Sequence, residues 1–231
     1  MMGAITPLCS DSNSSKTQTP ISKFLNKALS SRQIRFCGEA SSVLEGSASA
    51  QSDHKTKDHI AMSMNNRIET QRLVLRPPVY SDGPSLHALL SDPDVCHYSP
   101  YLPIAGIADA YFIIVEWHEK WSQGLRTYMI TNRYDPRNPV GFINVGSDEE
   151  LGGLLSPPQS GRGLASEALR ATIEALGLRT AWTIIDAEHK ALIHTLGKVN
   201  IRLERTLPRY RVHPQISPEK RDCVLLRQQP S

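Results

Sequence analysis

Nowhere do the 231 residues hold the ~18 consecutive apolar positions that a membrane-crossing helix requires. The longest apolar stretches, at 110–115 and 182–185, are broken by polar side chains within a few positions, so no membrane span is expected. Charge of one sign is also lacking. Against 26 Lys and Arg stand 23 Asp and Glu, a formal charge of +3, too little for the basic field that draws a nucleic-acid backbone. No nucleic-acid partner is therefore expected. Cysteine is scarce: Cys9, Cys37, Cys96 and Cys223 lie far apart, two of them in a segment not expected to fold, and they read as reduced thiols in a reducing compartment. What is present, 39% apolar residues, suffices for one domain with a tail.

The chain divides near residue 63. Residues 1–60 hold 12 serines and no sustained period of 3.6 or 2, so they bury too little apolar area to offset the entropy of ordering. Residues 1–63 are thus expected to form a mostly disordered Ser-rich arm, and 64–231 the folded domain. Within the arm, Pro20–Cys37 carries Phe24, Leu25, Ala28 and Leu29 on one stripe with Lys and Arg around it, and Met1–Cys37 has five basic residues against the single Asp11. That acid-poor composition also suits an organelle transit segment. The expected location is cytoplasmic, with mitochondrial as the alternative. Taking the arm's 7 basic and 5 acidic side chains from the totals leaves 19 against 18, so the domain itself is close to neutral.

Period and punctuation outline the domain. Ile68 to Leu75 reads as a strand closed by Pro77-Pro78, and Ser81-Asp82 as the cap of a short helix with Leu86, Leu89 and Leu90 on one face. A helix follows from Ile107 to Gln123, where Trp117, Trp121 and Tyr111 read as core. Strands are expected at Arg126–Thr131, Val140–Val145 and Glu150–Leu155, separated by residues 135–139 and 146–149. Next come a helix from Gly161-Arg162-Gly163 to Gly177, a strand Thr180–Ile185, a helix Glu188–Leu196, and strands at Ile201–Leu207 and Cys223–Arg227. This order describes an α+β fold, helices layered on a mixed sheet.

The segment Glu150 to Arg170, ELGGLLSPPQSGRGLASEALR, runs from an apolar strand through a Ser-Pro-Pro turn into a glycine-punctuated helix start. Glycines at 161 and 163 let backbone approach a ligand, and the first helical amides have no partner inside the helix. With the positive end of the helix dipole behind them they suit a phosphate or pyrophosphate, and Arg162 adds a charge. The same pattern also fits an ordinary turn with a close helix contact.

Together with the opening IETQRLVLR at 68–76, the LSDPDV stretch at 90–95 and Val140-Gly141-Phe142-Ile143, this segment resembles the GNAT superfamily of acyl-CoA-dependent N-acetyltransferases, its RimJ/RimL-like branch in particular. The resemblance implies a GNAT-like fold, a mixed, mostly antiparallel sheet flanked by helices. It implies acetyl-CoA as co-substrate, lying in a wedge between two splayed strands, with no metal. The acceptor would be an amine, a small molecule or a protein N-terminus, and the protein a monomer or homodimer. Cofactor contacts carry over to Leu154 and Leu155 on the strand, with the amide near Leu154 polarising the thioester. They carry over likewise to Ser160, Gly161, Arg162, Gly163, Leu164, Ala165 and Ser166 around the pyrophosphate. Glu150 matches the carboxylate that takes the acceptor's proton.

Some positions depart from that pattern. Gly153 stands where an aromatic is common, and Ser160 where Arg, Gln or Trp precedes the first glycine. Asp186 and His189 replace an Asn and a Ser, and Ile193 replaces the Tyr that protonates the departing thiolate. An alternative reading is therefore a degenerate domain that binds acyl-CoA or a protein partner without turnover. His189 and His194, five residues apart, share no helical face and are read as surface or rim histidines, not metal ligands. Cys96 beside His97 is not read as a catalytic pair.

Overall fold

The computed structural model describes residues 66–230, so the arm expected at 1–63 and Cys9 and Cys37 lie outside the described residues. The expected single strand at 68–75 is a hairpin, β1 (Ile68–Glu69) against β2 (Leu73–Arg76). Thr70 folds the chain back: its hydroxyl accepts the Leu73 amide at 2.8 Å, a side-chain turn that apolar periodicity does not reveal. After a short 3-10 turn come α1 (Gly83–Leu90), α2 (Pro93–Cys96) and α3 (Ile107–Trp121). Asp82 precedes α1 as expected but makes no cap bond. Its two oxygens instead receive Arg76 Nη1 at 2.8 Å and Nη2 at 2.7 Å, and the Val79 amide at 2.8 Å.

β3 (Arg126–Asn132), β4 (Asp135–Val145) and β5 (Leu151–Leu155) extend the hairpin into a five-stranded antiparallel sheet in chain order. Residues 135–139, expected as a separator, belong to β4. Their prolines are tolerated because the residues are largely exposed and the pairing with β3 shifts register between Ile130 and Asn132. The chain continues through α4 (Leu164–Leu176), β6 (Trp182–Asp186), α5 (Lys190–Gly197), β7 (Ile201–His213) and β8 (Ser217–Gln228). These last three strands form a second antiparallel sheet in the order β6-β8-β7. Both terminal strands run well past their expected ends. Residues 208–211 and 218–222 are mostly polar and at most half-buried, so ladder pairing holds them in the sheet without an apolar signal.

Alternation along β3 and β4 divides the core. Tyr128, Ile130, Ile143 and Val145 face an apolar layer completed by α4 and α5. Met129 and Phe142 face a second layer with Leu86, Ile113 and Trp117 beneath α1 and α3. Trp117 is fully buried and tilts on Phe142 at 5.0 Å, a core residue as expected; Trp121 is half-buried and meets Tyr128 edge-on at 5.4 Å at the edge of the core, and Tyr111 is half-buried and stacks on Tyr80 at 4.3 Å. Among the described residues no helix is long and apolar enough to cross a membrane.

The Arg76–Asp82 pair joins β2 to the start of α1 with side chains only 13% and 1% exposed. Asp82→Ala strands the guanidinium and the Val79 amide, and is expected to cost about 3 kcal/mol in urea unfolding with an unchanged m-value. A loss under about 1 kcal/mol would mean that water replaces the carboxylate.

Candidate functional site

The two sheets touch at one parallel bridge, Glu150 to Trp182. Glu149 makes the join. Its carbonyl accepts the Trp182 amide at 3.2 Å, and its Oε2 accepts the amides of Arg179 (3.1 Å) and Thr180 (2.6 Å) and the Thr180 hydroxyl (2.8 Å). Burial alone would push the Glu149 carboxyl up, but these bonds hold it below the usual carboxylate range. Beyond the bridge β5 and β6 belong to different sheets, and between them opens a cavity of about 910 Å³.

The hydrogen-bond phase of β5 is set at both ends. Glu150 O accepts from Gly146, and Ser156 N donates to Val140. In a regular antiparallel ladder the even residues 152 and 154 then turn their main-chain groups to β4, and 151, 153 and 155 turn theirs to the cavity. The amide facing the opening is thus that of Gly153 or Leu155. Both flank Leu154, near which the resemblance placed the polarising amide; the Leu154 amide itself points to β4, although the residue borders the cavity. Gly153 has φ +149, and an added Cβ would stand 2.3 Å from Phe142 O, which explains why no aromatic occupies this position.

At the far end of β5, Gly161 and Gly163 have φ +74 and +75 and lead into α4. A Cβ at Gly161 would meet nothing within 4 Å, and one at Gly163 only Arg72 Nη2 at 3.7 Å, so the space in front of the turn is open. No main-chain acceptor among the described residues meets the amides of 161–166; the next amide, Glu167, bonds Gly163 O at 3.1 Å. Arg72, which the sequence reading missed, holds this turn. Its guanidinium donates to Arg162 O at 3.0 Å and to Glu167 Oε2 at 2.6 Å, while the Thr70 hydroxyl donates to Glu167 Oε1 at 2.6 Å. Of the expected cofactor residues, Leu154, Leu155, Ser160, Gly161, Gly163 and Leu164 line the cavity, as do Ala165 and Ser166. Arg162 does not: it is exposed and its side chain donates to Gln159 Oε1 at 3.1 Å.

Glu150, only 5% exposed, borders the cavity at the bridge. It is not a solvent-side strand carboxylate. Tyr101, from the connection between α2 and α3, and Arg211, from β7, lie on the same wall. Sequence reasoning missed both, since neither belongs to a motif.

The departures on β6 and α5 have structural causes. Asp186 is fully buried and receives Arg221 Nε at 2.7 Å; its Oδ2 lies 3.8 Å from His213 Nε2. Burial favours the neutral acid, but Arg221 and the Glu188 amide hold the carboxyl below its ordinary range. His213 Nδ1 lies 2.9 Å from Tyr98 O, an oxygen that only accepts, so the ring's proton sits on Nδ1. His189, read as a rim residue, lines the cavity and stacks on Tyr98 at 4.3 Å; burial pushes its pKa down to about 4, against the pull of Asp186. Ile193 packs in the apolar layer. Burial pushes the Cys96 thiol up to about 11, so it is not a thiolate at neutral pH. Among the described residues no three His, Cys, Asp or Glu gather in a way that could hold a metal ion.

The family model described as an acetyltransferase (GNAT) domain matches residues 72–202. No curated protein sequence matches the chain. Among solved structures, the GNAT-family acetyltransferase from Bacillus anthracis superposes with a TM-score of 0.58 at 20% identity, covering 70% of this chain and 96% of that one. Mycobacterium smegmatis RimJ in complex with CoA-disulfide gives 0.60 at 17%, covering 67% and 80%. Spermidine N-acetyltransferase from Vibrio cholerae in complex with CoA and spermine gives 0.58 at 14%, covering 68% and 95%.

The depressed His189 has a consequence for stability. With its ordinary value at 6.5 and its folded value at about 4, the unfolded chain takes the proton first as pH falls. The contribution is complete above pH 6.5 and is lost on going down to pH 4. In urea unfolding at stepped pH, His189→Gln is expected to lose less stability than the wild type across that window. Parallel losses would show that His189 takes its proton equally in both states.

Proposed function

The chain belongs to the GNAT family of acetyltransferases, and we propose that it moves an acetyl group from acetyl-CoA to an amine by direct attack within a ternary complex, with Glu150 as the base. The observation that carries this reading is the opening of the sheet between β5 and β6, with an open glycine turn at one end and a buried carboxylate at the other. The amides of 161–166 are donors without main-chain acceptors at the positive end of the thirteen-residue α4, which suits the pyrophosphate of CoA. The odd positions of β5 offer the pantetheine the strand pairing that β6 does not supply.

The thioester carbonyl then meets the amide of Gly153 or Leu155, which stabilises the negative charge developing on its oxygen. Glu150 removes a proton from the acceptor's nitrogen, directly or through one water, and the nitrogen forms its bond to the carbonyl carbon. The carbon–sulfur bond breaks and the thiolate takes a proton from water, since Ile193 offers none. That same isoleucine favours the second reading, a domain that binds acyl-CoA without turnover.

One measurement tests both readings and a second separates them. CoA at a hundredfold excess over its dissociation constant is expected to stabilise the protein by roughly 2.7 kcal/mol. Gly163→Glu is expected to abolish that gain, while Gly163→Ala, which shares the strain of φ +75 without the bulk and charge, retains more of it. A wild-type melting temperature unmoved by CoA would overturn both readings. For catalysis, Glu150→Gln is expected to lower kcat by about a hundredfold or more with CoA affinity nearly unchanged. Full activity in that variant would remove Glu150 from the chemistry, and CoA binding with no transfer to any amine would leave the non-catalytic reading.

A further inference from the structure

Asn144 carries an unused donor beside Glu150. β4 pairs with β5 so that Phe142 stands opposite Leu154 and Asn144 opposite Gly152, and Phe142 and Leu154 both pack in the layer beneath α1 and α3. Side chains two residues apart share a face, so Asn144, Gly152 and Glu150 belong to that side of the sheet too. Asn144 and Glu150 are diagonal neighbours there, roughly 7 Å or less apart at Cβ. Gly152 places no side chain between them, and all three residues border the cavity.

Thr127 decides which way the amide of Asn144 turns. It is fully buried, stands opposite Asn144 on β3, and its hydroxyl donates to Asn144 Oδ1 at 2.9 Å. With the oxygen held toward β3, the planar amide directs Nδ2 toward β5. No described residue accepts from Nδ2. Although Asn144 is only 2% exposed, Nδ2 is not among the sealed partnerless atoms, as the Tyr101 hydroxyl and Arg211 Nη2 are. A half-satisfied amide amid Met129, Phe142 and Leu154 is unfavourable until an oxygen reaches it.

Nδ2 can only donate, and Glu150 as the base must accept. A water oxygen serves both: one lone pair takes the Nδ2 proton, one O–H donates to the carboxylate, and the second lone pair is left for the cavity. Building on the acetyl-transfer reading, we infer that Asn144 is a positioning residue for proton removal, holding with Glu150 one water over Gly152 through which the acceptor's proton passes. An N–H bond of the protonated amine breaks as its proton joins the water's lone pair. An O–H bond of that water breaks as its proton joins Glu150, which regenerates the water and leaves a neutral amine ready to attack.

The test separates this role from a structural one. Thr127→Val with Asn144→Leu replaces both partners by apolar groups of the same shape, so the double variant is expected to melt at or above the wild type and to keep the CoA-induced rise in melting temperature. Its kcat is nevertheless expected to fall about tenfold or more, with KM for acetyl-CoA unchanged. Transfer is read on whichever reacts fastest of spermidine, n-butylamine and tripeptides beginning with Ala, Ser or Met. Asn144→Leu alone strands the Thr127 hydroxyl and is expected to melt lower with the same loss of kcat, so that activity does not follow stability. A high-resolution crystal structure of the CoA-loaded full chain is expected to show one water within about 2.7–3.2 Å of both Asn144 Nδ2 and the Glu150 carboxylate. A double variant at full kcat, or no such water, overturns the inference and leaves direct proton removal by Glu150 standing. A wild type that transfers acetyl to none of the probes overturns the acetyl-transfer reading, and the relay with it.

Discussion

Everything in the site follows from where the sheet stops being continuous. β5 and β6 run side by side only at Glu150 and Trp182, where Glu149 gathers the backbone amides of Arg179 and Thr180 on one carboxylate. Past that join the two strands part, and β5 keeps a row of main-chain groups turned away from β4. Unpaired backbone that faces a cavity rather than bulk water is unfavourable unless something binds it. Such an edge, beside a large cleft, makes an extended amide-bearing ligand the natural occupant. The same join brings Glu150 to the apex of the wedge and buries it there.

Charged side chains are spent here mostly on holding backbone in place. Arg72, Thr70 and Glu167 tie the glycine turn and the first turn of α4 to the β1–β2 hairpin. The turn can then stay open without becoming loose, since its left-handed glycines are anchored from outside. Glu167 also keeps a negative charge near the helix start while directing it to Arg72, away from the amides of 161–166. Asp186, Arg221 and His213 do comparable work on the other sheet. Because His213 donates to Tyr98 O and His189 stacks on the Tyr98 ring, the segment carrying Tyr101 is held over the cavity mouth. A substitution at the Asn position of the family pattern is thus absorbed by a buried ion pair, and need not mark a lost catalytic group.

Much was legible in the sequence, and for identifiable reasons. Leu164, Ala168, Leu169 and Ile173 recur at helical spacing between Gly163 and Gly177, and α4 forms there with those faces buried. Runs at 126–131 and 140–145 became strands because apolar side chains on both faces leave few alternatives to a central position in a sheet. The glycine turn and Glu150 were found because a local motif carries them. The long hairpin β7–β8, the split between β1 and β2, and the extension of β4 through two prolines were not, because exposed polar strands are held by pairing with partners distant in sequence.

The sequence by itself determined the order of the main helices and strands from α3 onward, the two-faced burial of the central strands and the amide-rich start of α4, since periodicity, capping and glycine conformation act over a few residues. Only the tertiary structure decided which β5 amides face the wedge, because hydrogen-bond phase depends on register with β4 and not on side-chain identity. It also decided that Arg162 turns away while Arg72 takes over the turn, and that Tyr101 and Arg211, 110 positions apart in the chain, line the same cavity as Glu150. Long-range charge and hydrogen-bond geometry arise from chain closure, and no local pattern encodes them.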